Sequence, residues 1–339
     1  MMACIRLLAA ASIMCGLHAV MSGSLQAAWQ PNRPIELVVP AASGGSADQM
    51  ARAIQEITGK HQLLPVPIVV VNKPGGAGSE AFLDVKQTRN NPHKLIITLS
   101  NLFTTPIAMG IPFNWREITA VAMVALDEFV LWVNEDASIK TARDYVATIR
   151  GMAPGTFRMG GTGSRQDDQI ITGALERIIG VKFASFPTKR SGEGALQLSA
   201  KRFDATIRNP IEAVDLWRGG KLRPVCVFDA SLMQYPTKIV GNVAWGDIPT
   251  CQSQGLNMEY RVLRGIFMAP GVSPEQVNYY VDLVRKLRET PEWRILMGEG
   301  AFSQTFLTGA DFIQWMDRED ARYRQWMREA GFPTLVIDN

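Results

Sequence analysis

Beyond residue 28 the chain alternates short apolar, β-branched runs with longer segments whose apolar positions recur every three or four residues. The short runs predict strands over 35–39, 68–71, 94–99, 129–133, 156–159, 205–207, 224–228 and 265–269. The periodic segments predict helices over 46–58, 78–89, 142–150, 166–179, 192–200, 211–217, 274–288 and 309–330. In the last of these, Phe312, Met316, Tyr323 and Met327 form one apolar stripe, and the charges from Asp317 to Arg328 lie largely off it. That helix reads as a surface element docked on a core. Strands alternating with helices indicate an α/β fold, with largely parallel sheets expected. At 339 residues the chain exceeds a comfortable single core, so two lobes are expected. No repeat, low-complexity tract or long polar linker separates them. The chain should therefore cross between lobes in short segments, with 127–136 and 224–265 as candidates, and 235–249 reads as loop.

The N-terminus stands outside this pattern. Arg6 precedes an apolar stretch over 7–20, followed by small and polar residues over 22–28. This is the order of a secretory signal, with cleavage expected after Ala27 or Ala28. The stretch falls short of the roughly 18 apolar residues a membrane span needs. Ile13 and Met14 do not provide the small-residue context of a lipidated cysteine at Cys15. Export would leave Cys226, Cys251, His61 and His93 as the mature cysteines and histidines. Two cysteines in an exported chain can join or stay separate, and spacing leaves both open. The four residues show no zinc-ligand spacing, so neither a metal nor another cofactor is expected. The formal charge of +3 falls by one with Arg6, too small an excess for a nucleic-acid surface.

Two glycine-rich turns carry the candidate chemistry, each between a predicted strand and a predicted helix. The first is Pro40-Ala41-Ala42-Ser43-Gly44-Gly45-Ser46-Ala47-Asp48, and the second is Gly160-Gly161-Thr162-Gly163-Ser164-Arg165-Gln166-Asp167-Asp168. Such turns aim unpaired N–H groups outward at a helix N-terminus, where an anion accepts from them. The first adds the hydroxyls of Ser43 and Ser46, while Asp48 suits either a helix cap or ligand contact. The second adds Thr162, Ser164 and the cation Arg165. A helix N-terminus stabilises an exposed anion by roughly 0.3–1 kcal/mol. Two such ends with a guanidinium suffice for micromolar carboxylate binding. Lys189, Arg190 and Arg208 place further cations near strand ends. Arg208 is the strongest of these, because strand C-termini in open α/β sheets face the ligand crevice.

Three enzyme-like patterns fail on their missing partners. Ala41-x-Ser43-x-Gly45 resembles a nucleophile elbow, but its histidine base should come late in the chain, and His61 and His93 come early. Gly76-x-Gly78-x-x-Ala81 mimics a dinucleotide fingerprint, yet 99–101 carries no ribose-binding acid. Neither turn ends in the Gly-Lys-Ser/Thr of a P-loop.

The stretches Trp29-Gln30-Pro31-Asn32-Arg33-Pro34-Ile35, Val38-Val39-Pro40, Gly44-Gly45-Ser46-Ala47-Asp48 and Ala51-Arg52 occur together in one family. So do Val71-Asn72-Lys73-Pro74-Gly75-Gly76-Ala77-Gly78, Gly160-Gly161-Thr162-Gly163-Ser164 and Gly219-Gly220-Lys221-Leu222-Arg223-Pro224. Asp247-Ile248-Pro249-Thr250 and Arg328-Glu329-Ala330-Gly331-Phe332 complete the series. In this order the chain resembles the solute-binding receptors of tripartite tricarboxylate transporters, the Bug proteins, over essentially all of its mature length.

The resemblance implies a periplasmic, two-lobed binding protein of type II-like, Venus-flytrap form, with its ligand in the interdomain cleft. Residues 29–128 plus 251–339 would form one lobe and 129–250 the other, after a signal over 1–28. The implied function is capture of a small organic carboxylate for the membrane permease subunits of the transporter, by a monomer that is not an enzyme. The first turn would hold one carboxylate through Ser43, Gly44, Gly45, Ser46 and Asp48, and the second through Gly163, Ser164, Arg165 and Gln166. The family's loop after the third strand maps to Ser100, Asn101 and Thr104, facing the cleft. Departures concern the ligand. Thr188-Lys189-Arg190-Ser191-Gly192 replaces a commoner Lys-Gly-Gly or Lys-Gly-Ser, and Arg208 stands where many members are neutral or acidic. An added arginine suggests a second ligand carboxylate. The segments 162–169 and 209–212 look closest to the terephthalate-receptor subgroup, so an aromatic dicarboxylate enters the candidate ligands. A periplasmic sensor and a secreted hydrolase are the alternative functions.

Overall fold

The computed structural model describes residues 28–161, 167–188, 193–329 and 331. Strands in the first half are β1 (Ile35–Val39), β2 (Ile68–Asn72), β3 (Lys94–Thr98), β4 (Thr119–Glu128), β5 (Val130–Asn134), β6 (Arg158–Gly161) and β7 (Ala184–Pro187). They continue as β8 (Ala205–Arg208), β9 (Leu222–Val227), β10 (Lys238–Val240), β11 (Val243–Ala244), β12 (Arg261–Met268) and β13 (Leu307–Thr308). Helices are α1 (Ser46–Lys60), α2 (Ser79–Gln87), α3 (Asn101–Met109), α4 (Ala142–Arg150) and α5 (Asp167–Ile179). The remainder are α6 (Glu193–Ser199), α7 (Pro210–Arg218), α8 (Pro274–Arg288), α9 (Pro291–Glu299) and α10 (Gly309–Glu329).

Two sheets organise two lobes. The first has the order β13-β4-β12-β3-β1-β2, and the second β7-β6-β8-β5-β9. Each contains a parallel trio with one strand at its centre: β1 between β2 and β3, and β6 between β7 and β8. The two glycine turns follow those central strands. The rest of each sheet is antiparallel, β12 running against β3 and β4, and β5 against β8 and β9. Largely parallel sheets are therefore corrected to mixed ones. A strand that arrives from the other lobe has no βαβ crossover within its new sheet, so the rule that forces parallel neighbours does not act on it.

The crossing is short. β4 ends at Glu128 and β5 begins at Val130, leaving Phe129 between the sheets. The backbone N–H of Phe228 donates to Phe129 O at 2.8 Å, and that of Tyr260 donates to Phe228 O at 2.8 Å. Three chain segments thus form a hydrogen-bonded belt where the lobes join. Beside it, Cys226 and Cys251 form a disulfide, with Cα atoms 4.9 Å apart. The stretch expected as loop over 235–249 contains the small hairpin of β10 and β11.

One lobe buries Val39, Met50, Ile97, Met268 and Val284 between its sheet and the helices α1 and α8. The other packs Trp132, Trp217 and Trp245 in mutual ring contact. Phe312, Met316, Tyr323 and Met327 of α10 are all fully buried, as their stripe predicts. Each such side chain contributes roughly 1.5–3 kcal/mol by leaving water, enough to dock the helix firmly.

Candidate ligand-binding cleft

The first glycine turn is fixed by its own side chains. Gly44 has φ +87°, a conformation that favours glycine, and its N–H donates to Asp48 Oδ2 at 2.9 Å. Arg52 Nε donates to the same oxygen at 3.0 Å, and Asn72 Nδ2 donates to Asp48 Oδ1 at 2.9 Å. Burial pushes the Asp48 carboxyl up, but hydrogen bonds from Arg52, Gly44 and Asn72, with the Arg52 charge, outweigh it and hold it below its ordinary value. From behind, Asn101 Nδ2 donates to Pro40 O at 3.1 Å and Ala77 O at 3.3 Å. Gly78, at φ +95°, lets this buttress close: a Cβ there would lie 2.7 Å from Pro40 O.

Ser46 opens α1, whose N-cap, Gly45, makes no side-chain cap. Ser46 Oγ donates to Asp127 Oδ2 at 2.5 Å and accepts from Arg264 Nη2 at 2.9 Å. Arg264 and Asp127 form a short ion pair, both side chains 0% exposed. Burial pushes the Asp127 carboxyl up against the opposing pull of Arg264 and Ser46. Next to Asp127 in sequence, Glu128 is held well above its ordinary value by burial and then by the neighbouring Asp229 carboxylate.

Opposite this end of α1 stands the end of β8. Arg208 is 2% exposed, its Nη1 donating to Ile207 O at 3.1 Å. It lies so close to Gly194 that a Cβ there would come within 2.2 Å of the guanidinium. Arg208 Nε stands 4.0 Å from Glu212 Oε2. Glu212 Oε1 in turn accepts the Ser46 N–H at 3.0 Å, a contact from one lobe to the other. Asp167, at the start of α5, accepts from Tyr260 OH at 2.6 Å. These groups enclose a cavity of about 200 Å³, with Leu99 and Phe129 as apolar wall. Strand C-termini from both sheets meet here, as expected of a ligand crevice in open α/β folds.

The family model described as tripartite tricarboxylate transporter family receptor matches residues 50–332. The chain belongs to this family. A UPF0065 protein in the gbd 5' region of Cupriavidus necator is 25% identical to this receptor over 312 residues, covering 91% of this chain and 90% of that protein. Among solved structures, R. palustris Rpa4515 with adipate has TM-score 0.79 and 22% identity, covering 90% of this chain and 99% of that one. MatC from Rhodopseudomonas palustris with bound malate has TM-score 0.74 and 19% identity, covering 88% and 99%.

The receptor's cavity brings together Gly45, Ser46, Asn101 and Arg208 from the residues expected by sequence. Ser43 and Gly44 are exposed at the turn's tip, and Asp48 faces inward to hold it. Ser100 and Thr104 are fully buried: Ser100 Oγ bonds to Tyr323 OH, and Thr104 Oγ1 donates to Ser100 O at 3.4 Å. The supposed loop at 100–104 is in fact the start of α3, which turns these hydroxyls into the core. Thr162, Gly163, Ser164, Arg165, Gln166 and Lys189 lie outside the described residues.

Sequence reasoning gave no site role to Arg264, Asp127, Asp167 or Glu212. A lone arginine within the apolar run of β12 signals a buried partner, though nothing in the run says which. Glu212 follows Asn209-Pro210-Ile211, a pattern that reads as a local helix start rather than a reach across the cleft.

Proposed function

We propose that this receptor captures a small organic di- or tricarboxylate in the periplasm and hands it to the permease subunits of a tripartite tricarboxylate transporter. The observation that carries the reading is the cavity itself: the N-terminus of α1 from one lobe faces buried Arg208 from the other. A dicarboxylate fits that pairing, one end accepting from first-turn amides and the other from the guanidinium. Residues 29–128 with 251–339, and 129–250, would act as the closing lobes. Motion at the Phe129–Phe228–Tyr260 belt would exclude water and strengthen each charged contact. Asn101, the second glycine turn from Gly163 to Gln166, and Lys189 would supply further donors. Adipate and malate, present in the two structures above, are both dicarboxylates, and terephthalate is the rigid aromatic member of that class.

Binding without turnover is the role the histidines favour. His61 sits against Glu292 at 2.8 Å, and His93 Nε2 accepts from Asn32 N at 3.2 Å, so neither serves the cleft.

A thermal-shift screen of mono-, di- and tricarboxylates tests the reading. A dicarboxylate at a hundred times its Kd should stabilise the folded protein by about 2.7 kcal/mol. Arg208→Gln should weaken dicarboxylate binding by at least about tenfold. No stabilisation by any acid in the panel would refute carboxylate capture, and unchanged affinity in the variant would remove the second-carboxylate role.

A further inference from the structure

Glu212 is the third residue of α7, behind its N-cap Asn209 and first-turn Pro210. A glutamate at that position ordinarily folds back to cap its own helix. Here Asn209 makes no side-chain cap, its Nδ2 donating instead to Glu128 O at 2.8 Å, and Glu212 points away from its own helix. Its Oε1 accepts the first-turn N–H of α1 in the other lobe, and its Oε2 faces the Arg208 guanidinium. The side chain is 3% exposed, so this contact is made out of water. The receiving helix has no side-chain cap of its own. A protein carboxylate therefore reaches the same two groups, a helix N-terminus and a buried arginine, that the two ends of a ligand dicarboxylate would take.

We infer that Glu212 is an internal carboxylate that competes with ligand for the Ser46 N–H and the Arg208 charge, and that it clasps the two lobes until a ligand displaces it. The clasp has two resting places. In the first, the one the structure shows, Glu212 caps α1 across the gap. When the carboxylates of a ligand take the Ser46 N–H and the Arg208 charge, Glu212 returns to the N-terminus of α7, where its position in the sequence suits it. Affinity is then the difference between two carboxylates competing for one set of donors, and an acid too weak a partner for Ser46 and Arg208 leaves the clasp shut. The competition rests on reading the cleft as a carboxylate site; the clasp between the lobes does not.

The test compares wild type, Glu212→Ala and Glu212→Gln. Small-angle scattering of the ligand-free proteins reads lobe separation, and calorimetry with adipate and with malate reads affinity. Thermal melts confirm that each variant is folded. In Glu212→Ala the ratio of closed to open molecules should fall about tenfold, giving a larger radius of gyration, and adipate or malate should bind about tenfold tighter. Glu212→Gln keeps an acceptor without the charge and should fall between the two. Equal radii of gyration in all three proteins would overturn the clasp, whatever the affinities. Weaker binding by the alanine variant would overturn it too, because Glu212 would then be a ligand contact rather than a competitor. If the variants expand while wild type binds neither acid, the clasp stands and the proposed function is what fails.

Discussion

Asp48 serves the turn around it. It gathers the Gly44 N–H, Arg52 and Asn72 onto two oxygens, and those bonds outweigh burial in setting its proton affinity. A carboxyl held below its unfolded value contributes stability that is present above the unfolded pKa of about 4 and lost as pH falls through the folded one. Asp48→Asn should cost about 1–2 kcal/mol at neutral pH and flatten the stability profile below pH about 4. Urea melts across that range check it, and parallel profiles for variant and wild type would contradict the assignment. Sequence offered Asp48 both a capping role and a ligand role. Arg52 lies one turn along the same helix, so that partner is local in sequence. Asn72 arrives from a different strand, and only the fold decides between the roles. Ser100 and Thr104 differ from their expectation for the same reason: a polar residue after a strand looks like cleft lining until a helix turns it inward.

Among the elements, β4 and β12 carry the hardest burden, since together they bury an ion pair. Asp127 and Arg264 sit on neighbouring strands, with Leu126 opposite Leu263 in register between them. Removing one partner strands a charge away from water, whereas replacing both with apolar groups does not. Asp127→Ala should therefore cost about 3–5 kcal/mol, and the double replacement Asp127→Leu with Arg264→Met far less. Denaturant titration of the two proteins would decide, and a double variant as unstable as the single one would argue against the pair. β4 itself escaped the hydrophobic pattern. Its residues from Val121 to Glu128 are all buried, so no alternation marks it as a strand. α3 escaped for the opposite reason, its Thr104-Thr105-Pro106 opposing helix formation locally. Burial of Leu102, Phe103 and Ile107 overrides that preference. α9 carries its own start signal, with Thr290 capping it and Pro291 opening it, although its short apolar pattern does not stand out.

On the scale of the whole molecule, alternating strands and helices pointed to two α/β lobes, and two sheets provide them. Local pattern carries no information about strand direction, so the antiparallel entry of β5 and β12 had to come from the path between lobes. Cysteine spacing likewise left pairing undecided, because it depends on bringing Cys251 back beside β9. That pairing has a topological consequence. The chain leaves β9, makes the β10–β11 hairpin with Lys238 exposed on it, and returns to Cys251 before entering β12. Sulfur therefore offers a shorter covalent route between the lobes than the peptide excursion does. Trypsin cleavage after Lys238 should give two fragments that migrate apart only under reducing conditions, while the nicked protein still elutes as one body. Fragments that separate without reductant would show the bond absent. Cys226→Ser should cost about 2–4 kcal/mol and make the same cut fatal. The hairpin is in this sense a detour in parallel with a weld: the backbone there can be severed, and the receptor remains one covalent object.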